Sequence, residues 1–162
     1  MSLLDIGNPL LLRKCGRVTF PLDNQTKNEI KCIFDTFAGI TEASELSANE
    51  MGINKQIVIY RPPFKANPKI LINPSIDIVS DDMMQCTEEW LSLPEVKLDT
   101  LRHAYVHVSG FNPNGELEEI DAYGSVSQSL QHAIDHTQGT SFFHRSKAII
   151  NKTEKTSNYL RK

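Results

Sequence analysis

A chain of 162 residues is long enough for one domain with a real hydrophobic core. Its residues are 40% hydrophobic and 23% charged, and 17 Lys+Arg against 20 Asp+Glu leave a net charge of -3, so nothing demands DNA or a membrane surface as partner. The apolar runs fall far short of the ~20 residues of a spanning helix, and Met1-Ser2-Leu3-Leu4-Asp5 lacks the basic start of a secretory signal.

Residues 1–22 contain Pro9-Leu10-Leu11-Leu12-Arg13 and end in Phe20-Pro21, which reads as an extended arm over the core. From Asn24 the pattern turns helical. Ile30, Ile33, Phe34 and Phe37 recur at three- and four-residue spacings among polar residues, with Asp23 or Asn24 as cap and Gly39 near the end. Residues 40–55 are polar and read as irregular. Gln56-Ile57-Val58-Ile59-Tyr60 is strand-like and stops at Arg61-Pro62-Pro63. Ile70-Leu71-Ile72-Asn73-Pro74 reads as a second strand entering a turn, resumed by Ile76–Val79. Ala104-Tyr105-Val106-His107-Val108 alternates as a half-buried strand does. Asn112-Pro113-Asn114-Gly115 signals a hairpin, with 117–122 returning.

A helix then runs to about His136, capped by Ser125 or Ser127 and ended by Gly139. Val126, Leu130, Ala133 and Ile134 form its apolar face. Residues 147–162 are a basic tail or short last helix. Strands first and a helix packed across them predict an α+β domain spanning 1–162. Cys15, Cys32 and Cys86 are odd in number and widely separated, which suits reduced thiols in the cytosol.

The chemistry concentrates in Gln131-His132-Ala133-Ile134-Asp135-His136. Two histidines four apart share one helix face, the spacing of H-E-x-x-H metal sites. Ala133 stands where that motif has Glu. From the residues alone, a two-histidine metal site and two histidines hydrogen-bonded within ordinary packing both remain open.

Other stretches fall in order around this helix. Leu46-Ser47-Ala48-Asn49-Glu50-Met51-Gly52, Leu71-Ile72-Asn73-Pro74 and Leu91-Ser92-Leu93-Pro94 precede it, after the N-terminal Pro9…Leu12-Arg13. Together with the His132/His136 helix they resemble the peptide deformylase family, whose motifs read G-L-A-A-P-Q-x-G, I-N-P, E-G-C-L-S-x-P and Q-H-E-x-D-H, over nearly the whole chain. The resemblance implies the deformylase fold and a hydrolase that removes the N-formyl group from initiator methionine. It implies a divalent iron or zinc held by one Cys and two His, a Glu base, and an oxyanion held by a Gln and backbone N–H groups.

Placed on this chain, most of those roles are unfilled. His132 and His136 match the two histidine ligands, and Asp135 also matches. The Cys ligand falls at Trp90, whose indole N–H cannot ligate a metal, and the residue before it is Glu89. The base falls at Ala133. The oxyanion Gln falls at Glu50, whose carboxylate only accepts hydrogen bonds. Leu46 is the position for a backbone N–H, and Arg102 matches a substrate-contacting Arg. A positioned acid–base group contributes ~10²–10⁴ in rate, and one oxyanion donor ~10²–10³. The expectation is therefore a deformylase-like pseudoenzyme that binds a peptide or protein N-terminus in a remodelled cleft. It would carry no metal, or a weakly held Fe2+, Zn2+ or Ni2+.

The alternative is a metal-dependent hydrolase in which Glu50 joins His132 and His136, with Cys86, Glu88 or Glu89 as further candidate ligands. Trp90 either plugs or lines the former metal pocket, or fills core. The basic tail (Arg145, Lys147, Lys152, Lys155, Arg161 and Lys162, against Glu154) either meets the ribosome, as the family's C-terminal helix is thought to do, or is solvated.

Overall fold

The computed structural model describes residues 3–5, 7–62, 67–90 and 93–140; the side chains of Trp90 and of 93–95 lie outside that description. In chain order the elements are helix α1 (Asn24–Ala38), strands β1 (Glu45–Ser47), β2 (Ile57–Tyr60), β3 (Lys69–Val79), β4 (Met83–Trp90), β5 (Leu93–His103), β6 (Tyr105–Phe111) and β7 (Leu117–Tyr123), and helix α2 (Gly124–Thr137). Short 3-10 turns occupy Pro9–Leu12 and Ala48–Met51. Five strands form one sheet in the order β1-β2-β3-β6-β7, and β4 pairs with β5 in a second sheet. The fold is α+β, as the strand and helix patterns predict.

The larger sheet separates two apolar layers. Successive β2 side chains face opposite ways. Ile57 and Ile59 pack with Ile33 and Phe37 of α1, while Val58 and Tyr60 pack with Leu130, Ala133 and Ile134 of α2. The apolar stripe of α1 is therefore buried, and the Asp23 carboxylate accepts the Thr26 N–H at 2.6 Å to cap its start.

The N-terminal arm is strapped to this frame by side chains that imitate a strand. Asn73, at φ 52° where β3 shifts register, accepts the Val18 N–H and donates to the Val18 carbonyl, each at 2.8 Å. The Cys15 N–H donates to the Thr137 carbonyl at 2.8 Å, tying the arm to the end of α2. Gly139, at φ 73°, follows that helix where a Cβ would lie 2.7 Å from the Arg13 backbone.

Two expectations change, and one hairpin was not foreseen. Residues 40–55 are not irregular throughout, since they hold β1 and a turn whose Ala48, Asn49, Glu50 and Met51 are all buried. Neither Ser125 nor Ser127 caps α2; the helix begins at Gly124, and the Ser127 hydroxyl donates instead to the His103 carbonyl at 2.8 Å. The β4–β5 hairpin has no counterpart in the sequence pattern. Its buried positions include Cys86, Glu88, Leu98, Thr100 and Arg102, so hydropathy along it does not alternate.

Candidate functional site

The buried face of α2 changes character along its length. Leu130, Ala133 and Ile134 meet the sheet, while Gln131, His132, Asp135 and His136 are equally buried but polar. Each is held by a particular partner, because a buried polar group without one is costly. Gln131 accepts the His103 N–H at 3.1 Å and donates to the His103 carbonyl at 2.9 Å, which pins β5 to the helix. The Ser47 hydroxyl donates to the Ala133 carbonyl and the Asn49 amide to the His136 carbonyl, both at 2.8 Å. The turn after β1 is thereby locked to the same helix.

Arg102 and Glu88 meet under the helix. The Arg102 Nε and Nη2 donate to the two Glu88 oxygens at 2.6 and 2.8 Å, and its Nη1 donates to Asp135 at 2.5 Å. Arg102 is 1% exposed. The resemblance implied a substrate-contacting Arg; in this structure it is the cation at the centre of a buried network. The bidentate fork is the geometry guanidinium and carboxylate favour. Burial alone would raise the Glu88 carboxyl, but the hydrogen bonds from Arg102 and His132 prevail and hold it at about 2.

Glu88 also receives His132, with Nδ1 3.1 Å from its Oε2. An acceptor-only carboxylate there requires a proton on Nδ1. The other side of the ring faces His136, Nε2 to Nε2 at 2.8 Å, with the rings stacked at 4.7 Å. Burial pulls His132 down, yet the hydrogen bond to Glu88 with the charges of Glu45, Glu88 and Glu50 leaves it raised. Burial and the neighbouring His132 drive His136 well below the ordinary value. With the His132 Nδ1–H given to Glu88, the two Nε2 atoms share one proton between them.

These residues do not fit a divalent metal held by three protein ligands. Two imidazoles on one tetrahedral zinc, each ~2.05 Å away, would stand about 3.3 Å apart, whereas the 2.8 Å between these nitrogens is hydrogen-bond distance. Glu88 is occupied by Arg102 and His132. Glu50 turns its Oε2 to the Ser47 N–H at 2.8 Å, and burial raises its carboxyl to about 7. Among the described residues, no three His, Cys, Asp or Glu side chains form a group able to hold a metal ion.

The further candidates also lie elsewhere. Cys86 is buried opposite Thr100, and the β4 irregularity falls at Glu89/Trp90 rather than beside it. Glu89 points outward and pairs with Lys97 at 2.5 Å. Leu46 offers no N–H to the cleft. Arg61 N–H donates to the Ser44 carbonyl, and antiparallel alternation then makes Leu46–Ile59 the next hydrogen-bonded pair, so its N–H faces β2. The Trp90 side chain and the basic tail lie outside the described residues.

Beside this network opens a cleft of about 590 Å³ between the loop before β1, the β4 strand and the first turns of α2. His132 and Glu88 reach it from below, and Glu42, Glu45, Arg61 and Glu89 line its sides. Arg61 escaped the sequence reading. Its guanidinium is spent on the Ala43, Phe37 and Ile40 carbonyls and lies over the Phe37 ring at 4.5 Å.

The polypeptide deformylase family model matches residues 1–153. The chain is 39% identical over 143 residues to a peptide deformylase of Thermosynechococcus vestitus and 32% identical over 143 residues to peptide deformylase 1 of a Nostoc species. In both cases the match covers 86% of this chain and 75% of the relative. Among solved structures, a peptide deformylase from Synechococcus elongatus in complex with actinonin superposes with a TM-score of 0.82 at 30% identity, covering 92% of this chain and 80% of that one. A Plasmodium falciparum peptide deformylase in complex with an inhibitor gives a TM-score of 0.82 at 26% identity, covering 98% of this chain and 95% of that one.

Proposed function

The chain belongs to the polypeptide deformylase family, and from that premise we propose that it is a deformylase-like protein without ordinary N-formylmethionine deformylase activity, which holds a peptide or protein amino terminus in the remodelled cleft. The supporting observation is the His132–His136 pair. Its nitrogens are bonded to each other, and the three positions from which the family draws a thiolate, a base and an oxyanion donor carry Trp90, Ala133 and Glu50. The Ala133 methyl is fully buried among Val58, Leu130 and Ile134, so a proton acceptor is missing there both chemically and sterically. Wherever it is ionised, Glu50 would repel an oxyanion rather than stabilise it as an amide donor does. Three unbridged cysteines suit the cytosolic setting we propose, and among the described residues no helix is long and apolar enough to cross a membrane.

The test is metal content and turnover measured together. Purified protein should carry far less than one iron, zinc or nickel per chain and leave a formyl-Met peptide intact under anaerobic conditions. Near-stoichiometric metal that disappears in Glu50→Ala, accompanied by turnover, would establish instead the hydrolase built on Glu50, His132 and His136. The combined variant Glu50→Gln, Trp90→Cys, Ala133→Glu should regain metal. A folded triple variant that binds none would show these three positions are misassigned.

A further inference from the structure

The acidic balance of the chain conceals one strip of opposite sign. Between Asp5 and Asp23 the sequence holds Arg13, Lys14 and Arg17 and no carboxylate. Folding turns the strip outward. Leu11, Cys15 and Val18 are buried, while Arg13, Lys14, Gly16 and Arg17 are exposed. None of the three cations forms an ion pair with a described residue, whereas Lys31, Lys69 and Lys97 pair with Asp35, Glu118 and Glu89. Glu29, beyond the Gly16–Lys55 bridge, is matched by Lys55 at 2.6 Å. The strip is also fixed in place. The Cys15 N–H donates to the Thr137 carbonyl and the Gln56 N–H to the Gly16 carbonyl, at 2.8 and 2.9 Å. The Gln56 amide donates to the Cys15 carbonyl at 3.1 Å, and Asn73 holds Val18 through both its N–H and its carbonyl. Cations on backbone already immobilised lose little further entropy when a partner of opposite sign arrives.

We infer that Arg13, Lys14 and Arg17 form a docking surface for the phosphate backbone of RNA, on the N-terminal arm and separate from the cleft. A guanidinium fork matches phosphate geometry, and lysine adds a point charge. Four residues of extended chain separate Arg13 from Arg17 by at most ~14 Å, a span that meets successive phosphates of one strand. A lipid surface is gripped through an apolar face, and here the strip exposes a single large apolar side chain, Leu12. In the cytosolic setting proposed above, RNA is the abundant phosphate polymer. Contacts to phosphate alone carry no sequence information, so the docking is independent of RNA sequence.

Fluorescence anisotropy of labelled oligouridine, titrated with the full chain between about 50 and 200 mM salt, tests this. Each phosphate neutralised on a single strand contributes about 0.7 to the slope of log affinity against log salt. The Arg13→Gln, Lys14→Gln, Arg17→Gln variant should therefore lose about 2 units of slope and bind at least about tenfold more weakly at the lower salt. Its thermal midpoint should not move, since all three side chains are exposed. Arg13→Lys with Arg17→Lys should keep the slope, because the charges remain. The basic tail is a second source of charge, so its Lys and Arg residues are changed to Gln in a separate variant, which should retain the contribution of the arm. An arm variant that binds like the unaltered chain overturns the inference, as does a tail variant that loses all binding. Equal affinity for phosphatidylserine vesicles through the same three residues would make the surface one for lipid, and polyglutamate competing as well as RNA would reduce it to simple countercharge; either result overturns the inference. So does the absence of RNA binding up to about 1 mM protein, beyond the range of phosphate contacts of this kind.

Discussion

Strands β2 and β4 both send side chains into the interior, and those buried side chains are held in opposite ways. All four residues of β2 are buried, and each contacts an apolar layer. On β4, the buried Glu88 is set against Arg102 of β5, with Asp135 and His132 of α2 completing the set. The first arrangement is non-directional and stabilised by removing apolar area from water. The second stands only while every partner is present, because the low dielectric that strengthens each pair also penalises each loss. One side of the molecule therefore tolerates substitution by degrees, and the other does not.

The largest expected effect breaks the polar side. Arg102→Ala strands Glu88 and Asp135 in the interior and should lower stability by about 3–5 kcal/mol, read from the urea midpoint. Replacing the set together, as Glu88→Leu, Arg102→Met, Asp135→Leu, should cost less than that single change, since no charge is left unpaired. If the triple variant is as unstable as Arg102→Ala, packing rather than charge decides the region.

A smaller effect sharpens the comparison through pH. Glu50 titrates at about 7 when folded because burial disfavours its charge. A raised folded value means that its contribution is fully present below the ordinary carboxyl range near 4.5 and is lost as pH rises through about 7. Across that window the unaltered protein should lose on the order of 2–3 kcal/mol relative to Glu50→Gln, seen in paired thermal melts. Parallel melting curves from pH 5 to 8 would show that Glu50 stays ionised. The smallest effect belongs to the apolar side: Ile59→Val should cost about 0.5–1.5 kcal/mol, equally at pH 5 and pH 8.

The contrast also explains what could be read in advance. Helix α1, strand β2, the β6–β7 hairpin and the α2 helix announce themselves through apolar spacing and turn residues. The burial that stabilises them uses the same residue types that mark them. Hairpin β4–β5 carries Glu88, Thr100 and Arg102 on its buried side, residues that hydropathy assigns to solvent. The family resemblance, and not hydropathy, was what set Arg102 against a substrate.

His132 and His136 were legible as a pair, because four residues in a helix fix their shared face whatever surrounds them. Their meaning was not. That Glu88 orients His132, that Glu50 turns to Ser47, and that Leu46 spends its N–H on the sheet depend on partners from 3 to 44 positions apart. Local sequence determined which residues share a helix or strand face, since backbone geometry sets that spacing. Only the tertiary structure decided which polar groups meet, because in a desolvated interior a charge is defined by its partner.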